Sequence, residues 1–179
     1  MALKLHTEYD VAHLEELQRV VGTALNPEVT QKAIRKNMMV GLAALAGSMV
    51  VFKMFGIGAT GIVLDIMGLF FIIRGIFFHK ICARNLRKRM DKTFTGNDYV
   101  LDDDYLRMTN AVTSAEVSYE DCTRLLETRQ NIYLMMADGQ GLILDKSTLE
   151  GGTQEELRAR LEEKTGRTLE WAERNAKNA

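Results

Sequence analysis

Apolar positions follow three successive patterns along the chain, and each predicts a different kind of element. From residue 11 they recur at helical spacing, with Val11, Leu14, Leu17, Val21 and Ala24 on one stripe. A short extended piece at 3–6 precedes this amphipathic helix. Thr7 with Asp10 three residues later has the form of a helix cap. Asn26-Pro27-Glu28 reads as a second helix start, with a capping Asn, Pro in the first turn and an acid behind it.

From 38 to 78 polar positions almost vanish. Residues 38–55 carry one charge, Lys53, and as a helix would cover roughly 27 Å, close to the ~30 Å hydrocarbon core of a bilayer. Gly56, Gly58 and Gly61 interrupt the run, and a second apolar run fills 62–78. Neither run has the polar stripe of a helix lying on a soluble core. The pattern predicts two membrane-spanning helices joined by a tight turn. Gly61, Gly68 and Gly75 recur every seven residues and share a face of the second span, while Gly41, Ala44 and Ser48 form a comparable face on the first. Small residues let helix backbones approach in lipid. These faces can seal the hairpin or receive a second copy in a homo-oligomer, and the sequence does not choose between them.

Beyond residue 92 the period changes to that of strands. Short alternating segments at 98–101, 105–110, 115–118, 123–128, 131–137 and 141–145 are separated by turn residues such as Asp102-Asp103-Asp104 and Asp138-Gly139. An amphipathic helix at 154–164 follows, with Leu157 and Leu161 one turn apart and Gly166 as its stop. The expected fold is a membrane α+β protein: an N-terminal amphipathic helix, a two-helix transmembrane hairpin, then a small β-sandwich or barrel with a C-terminal helix. The expected divisions are 1–26, 27–92, 93–166 and a polar tail at 167–179, read as a short helix.

Charge orients this arrangement. Lys32, Arg35 and Lys36 precede the first span, and Lys80, Arg84, Arg87, Lys88, Arg89 and Lys92 follow the second, whereas the connecting turn has only Lys53 nearby. The positive-inside bias therefore places both termini in the cytoplasm, with the chain a multi-pass membrane protein. The first apolar run begins far from residue 1, so no signal peptide is expected. The net charge of −1 gives no general pull toward nucleic acid. The basic run at 79–92 lacks aromatic interleaving and suits contact with anionic lipid head groups, at about 1 kcal/mol per charge. Membrane lipids and a protein partner are the expected partners.

Asp65 stands out chemically. It lies near mid-span on the glycine face, where a carboxylate costs about 2.5–3.5 kcal/mol unless it is protonated or paired. A turn near Gly58 puts Ser48 level with Asp65, and Lys53 about one turn nearer the outer surface. The expected polar cluster is a Ser48–Asp65 hydrogen bond with Lys53 reaching inward. It either clasps the helices in register or serves as a proton or ion site. Elsewhere the candidates are thin. His6, Asp10 and His13 make no second cluster, the three aspartates lack the spacing of a calcium loop, and Cys82 and Cys122 are expected as free thiols. With no Ser/His/Asp set, phosphate loop or metal cluster, no catalytic residue, metal or cofactor is expected.

Two spans, a basic linker, then Tyr119-Glu120-Asp121, Leu126-Glu127-Thr128, Ile132-Tyr133-Leu134, Leu142-Ile143-Leu144-Asp145-Lys146 and a Glu-Glu-Leu-Arg helix resemble the YcxB-like membrane proteins of bacteria. The resemblance runs from about residue 7 to 164 and is densest over 117–161. It implies a cytoplasmic domain similar to bacterial pleckstrin-homology-like (PH-like) domains. Asp145 departs from the Pro expected before the Lys. The family has no established reaction, so the resemblance implies architecture rather than activity. The expected role is a membrane-anchored interaction or regulatory module without catalysis. The alternatives are a membrane-resident immunity protein against a toxin and a small ion- or proton-conducting oligomer using Asp65. Tyr119, Glu127 and Lys146 are the most distinctive residues of the soluble part.

Overall fold

The computed structural model describes residues 2–91, 95–137 and 139–172. Strand β1 (Leu3–Glu8) opens the chain, followed by helix α1 (Val11–Val20), which runs on through a π-helical turn to Leu25. Helices α2 (Pro27–Phe55), α3 (Ala59–Ile76) and α4 (Phe78–Arg89) come next. Strands β2 (Gly96–Leu101), β3 (Tyr105–Thr109), β4 (Ser114–Ser118), β5 (Cys122–Glu127), β6 (Asn131–Met136) and β7 (Gly141–Asp145) lead to helix α5 (Gln154–Thr165) and a last strand, β8 (Leu169–Trp171). The architecture is α+β, with two four-stranded sheets ordered β1-β2-β3-β4 and β7-β6-β5-β8.

The first sheet begins with the N-terminal strand. β1 pairs antiparallel with β2 from Leu3 opposite Leu101 to Glu8 opposite Gly96. The whole of α1 to α4 is thus inserted between two neighbouring strands. Divisions at 26/27 and 92/93 cut through this sheet, because strict alternation in Leu3, Leu5 and Thr7 buries one face of β1 against the β-core. Thr7 is fully buried and ties the sheets together. Its Oγ1 donates to the Ile143 carbonyl at 2.8 Å and accepts from the Asp145 amide at 3.1 Å. With Thr7 inside β1, the cap of α1 is Asp10 alone, whose Oδ1 accepts from the His13 amide at 2.8 Å.

The second sheet is buried on both faces, which explains why β6 reads as an unbroken apolar run. Ile132 and Leu134 face a core shared with Leu5, Tyr99, Leu106 and the α5 residues Leu157 and Leu161. Tyr133 and Met135 face a second core built with Leu14, Leu17 and Val20 of α1 and Ala83 of α4. Helix α5 begins with a capping box between Thr153 and Glu156 and ends at Gly166 in the left-handed conformation. The chain then turns back, held by the Leu169 amide donating to Glu162 Oε1 at 2.7 Å, and β8 pairs in parallel with β5. Within the described part of the 167–179 tail, Leu169–Trp171 is therefore a strand with a half-buried Leu169, and Ala172 after it is helical. Residues 173–179 lie outside the described residues.

Helices α2 and α3 are 29 and 18 residues long, with mean hydropathies of 1.8 and 1.9 over their most apolar windows, long and apolar enough to cross a membrane. Only 11% and 17% of those windows are buried within the protein. They meet along a seam that buries Gly41, Ala44 and Ser48 of α2 and Gly61, Gly68 and Gly75 of α3, with Phe52 against Gly61 and Met38 against Gly75. A Cβ at Gly41 would stand 2.7 Å from the Gly68 carbonyl oxygen, and one at Gly68 would stand 2.9 Å from that of Gly41. The glycine faces thus close the hairpin on itself. Gly56, at φ 74°, supplies the positive backbone angle that starts the turn after α2. Phe77 breaks the path between α3 and α4, so the basic segment is a separate helix.

Candidate functional site

Three groups of polar side chains are candidates for a site. The first lies in the hairpin seam. Ser48 is buried on α2, and its Oγ donates a hydrogen bond to Asp65 Oδ1 on α3. Lys53 is exposed on the outer part of α2, and among the described residues no ion pair joins it to Asp65. The structure therefore brings Ser48 and Asp65 together and leaves Lys53 out. The reason is geometric: Phe52, on the same turn, occupies the seam against Gly61, where a Cβ would meet its ring at 2.1 Å.

The second group is the basic helix α4. Arg84, Lys88 and Arg89 are exposed, while Lys80 and Arg87 are half-buried. Arg87 Nη1 donates to the Asp91 carbonyl at 3.3 Å. Ala83 and Leu86, on the opposite face, pack against α1 and the second sheet, so the cations are turned away from the β-domain. Lys92 lies outside the described residues.

The third group is a buried ion cluster that connects Glu127 and Lys146. Lys146 is 4% exposed and donates from Nζ to Glu127 Oε1 at 2.7 Å and to the Thr128 carbonyl at 2.7 Å. Arg158 of α5 approaches the same carboxylate from outside, with Nε at 2.9 Å and 3.1 Å from its two oxygens and Nη2 at 2.7 Å from Oε1. Trp171 of β8 closes the site, its ring centroid 5.9 Å from Lys146 Nζ. Burial raises the Glu127 carboxyl, but the hydrogen bonds and charges of Arg158 and Lys146 outweigh it and hold the group below the usual carboxylate range. Tyr119 does not join this cluster. Its hydroxyl donates to the Asp102 carbonyl at 3.1 Å, and burial pushes it up to about 12.

The histidines separate. His6 pairs with Asp98 at 2.7 Å, and His13 bridges Asp10 at 2.9 Å and Asp145 at 3.5 Å. Among the described residues no group of three or more His, Cys, Asp or Glu could hold a metal ion. Sequence reasoning missed the Tyr9–Tyr99 hydroxyl pair at 2.8 Å, buried with Asn97 Nδ2 3.1 Å from the Tyr99 oxygen. Arg158 was missed as well. Its spacing from Glu127 carries no local signal, because a strand-to-helix contact across the sheet has no period.

Residues 101–160 match the family model of YcxB-like protein. That match supports the YcxB-like family. The matched segment runs from the end of β2 into α5, and Glu127, Lys146 and Arg158 all fall within it. The YcxB-like match leaves β1, α1 and the hairpin outside its limits. No curated protein and no solved structure matches the chain.

Proposed function

We propose that this chain is a membrane-anchored interaction or regulatory module, with a PH-like β-domain held on the cytoplasmic face of a bacterial inner membrane. The observation that carries the reading is the uncovered apolar surface of α2 and α3, only 11% and 17% buried in their apolar windows. A core helix of a soluble protein hides that surface in its own fold, and an exposed band of this length needs lipid around it. The basic residues of α4 and of the first turns of α2 lie at the same end of the hairpin as the β-domain, which supports a cytoplasmic placement. Two packed sheets, antiparallel apart from the β5–β8 pair, and a helix after β7 support the PH-like reading. The ion cluster spends its hydrogen-bonding groups internally, which favours a structural role for Glu127 and Lys146 and a non-catalytic module. The Ser48–Asp65 bond within the seam favours a clasp over a conducting path.

Cell fractionation tests the anchor. The full chain should stay with the membrane through an alkaline carbonate wash, and protease should reach the β-domain in inverted vesicles but not in right-side-out ones. Release by carbonate would refute the anchor. A photo-crosslinking side chain at exposed Glu116 should give a protein adduct of defined mass in cells. Adducts with lipid alone would refute the interaction role.

A further inference from the structure

A cavity of about 450 Å³ lies between α1, the start of α4 and the β5–β6 turn. Ala12, Glu15, Glu16 and Arg19 line it from α1, His79 from α4, and Arg129 and Gln130 from the turn. Its position is set by the chain path. The Tyr9 amide donates to the Thr95 carbonyl at 2.9 Å, so α1 starts beside the far end of α4. Its other end reaches the start of α4, where a Cβ on Gly22 would stand 3.1 Å from the His79 ring. The cavity therefore runs along α1 and meets α4 at His79, beside the last residues of the apolar run on α3.

The lining charges come in balanced pairs. Arg19 and Arg129 are both exposed, and among the described residues neither guanidinium has a carboxylate within 4.0 Å. Glu15 is half-buried with no ion pair of its own among the described residues. Glu16 is held by the fully buried Asn131, whose Nδ2 donates to it at 2.6 Å. Two unpaired guanidiniums suit a phosphodiester, and two carboxylates suit a primary ammonium carrying N–H donors. A purely anionic group would meet Glu15 and Glu16, and a purely cationic one would meet Arg19 and Arg129.

We infer that this cavity is a binding site for a zwitterionic phosphoethanolamine head group of the membrane's inner leaflet, with Arg19 and Arg129 on the phosphate and Glu15 and Glu16 on the ammonium. The inference rests on the membrane reading above. It adds to the basic face of α4 a site that selects by head-group chemistry rather than by net charge.

Native mass spectrometry of the full chain in detergent tests it, with phosphatidylethanolamine, phosphatidylcholine and phosphatidylglycerol added in turn. Phosphatidylethanolamine should be retained about tenfold better than either, since the choline group lacks N–H donors and the glycerol group lacks the cation. Arg19→Ala and Arg129→Ala should each weaken that retention about tenfold, and Glu15→Gln should narrow the gap between ethanolamine and choline lipids. Arg107→Ala, on the outer face of β3, should change nothing. Equal retention of the three lipids by the unaltered chain would overturn the site and leave the membrane reading standing. A chain that stays dispersed without detergent would overturn the membrane reading itself. Competition by glycerophosphoethanolamine as strong as that by the intact lipid would assign the site to a free phosphate ester and overturn the lipid source.

Discussion

Removing the Glu127 carboxylate should destabilise the β-domain more than removing either of its cations. In Glu127→Ala the Lys146 ammonium keeps only the Thr128 carbonyl, and its side chain is 3% exposed, so water cannot replace the lost partner. Breaking a buried pair in this way costs about 3–5 kcal/mol. Arg158 is 34% exposed on its side chain and recovers hydration. Lys146→Met strands less, because Glu127 keeps the fork of Arg158 and the methionine keeps the volume, so a loss of about 1–2 kcal/mol is expected. The double variant Glu127→Leu/Lys146→Met removes both buried charges and should recover most of the stability. Trp171, the single tryptophan, lies beside the cluster and reports its opening by fluorescence. Thermal melts of the full chain in detergent should show a midpoint fall on the order of 10 °C for Glu127→Ala. The pH dependence has a definite sign. The folded carboxyl is held below its ordinary value of 4.5, so its contribution is present above that pH and is lost as pH falls through the lowered value. The gap between the unaltered chain and Glu127→Gln should stay level from neutral pH down to about 5 and shrink below 4.5. A Lys146→Met variant as unstable as Glu127→Ala, with no recovery in the double, would refute the stranded-charge reasoning.

Asp65→Asn should be tolerated, since an amide keeps the bond to Ser48 without a charge in the seam, while Asp65→Leu should loosen the hairpin by about 1 kcal/mol, read from cysteine crosslinking between the spans. Loss of all measurable activity in the Asn variant with the fold intact would point instead to a proton or ion site. Gly41→Leu should push α2 off the Gly68 carbonyl and cost about 1–3 kcal/mol, seen as faster protease cleavage at the turn in detergent. A fragment covering 95–172 alone should fail to fold cooperatively, because it lacks β1. Leu3 and Leu5 are each worth about 1.5–3 kcal/mol of burial, and the Thr7 bridge is lost with them. Adding 1–25 as a separate peptide to a fragment lengthened to 78–172 supplies β1 and the α1 and α4 cover of the second sheet and should restore β-type circular dichroism, and a 95–172 fragment folded alone would refute the split sheet.

What the sequence revealed and what it hid divide along physical lines. The glycine period of α3 and the small face of α2 were visible because close packing of two helices leaves a sevenfold trace, and Ser48 could be set level with Asp65 by counting turns from Gly58. Lys53 could not be placed by counting, since the width of Phe52 decides what fills the seam at that level. β6 was legible as a strand but not as doubly covered, because its second cover comes from α1 and α4, far away in the chain. β1 looked like a mere extended lead-in to α1. Pairing between strands leaves no mark on spacing, and nothing in Leu3 to Glu8 says that the partner lies beyond both long apolar helices. Arg158 was hidden for the same reason, as was β8, whose Leu169 and Trp171 sit in an otherwise polar tail.

Insertion of the hairpin between β1 and β2 imposes an order on folding. β1 leaves the ribosome before its partner, since β2 follows α2, α3 and α4. Its Leu3 and Leu5 stay uncovered through that interval, so the first sheet is completed only after the hairpin has been made. The connection returns to its starting point, with Glu8 opposite Gly96 and the Tyr9 amide bonded to Thr95. Closing that loop adds little entropy cost once α1 lies along α4, because the two helices deliver the strand ends side by side. The apolar faces of α1 and α4 then cover the second sheet, which fixes these two helices to the β-domain through packed side chains. Helices α2 and α3 join the β-domain through α1 and α4, their neighbours in the chain. That connection gives the chain a direct path between its two long apolar helices and its sheets.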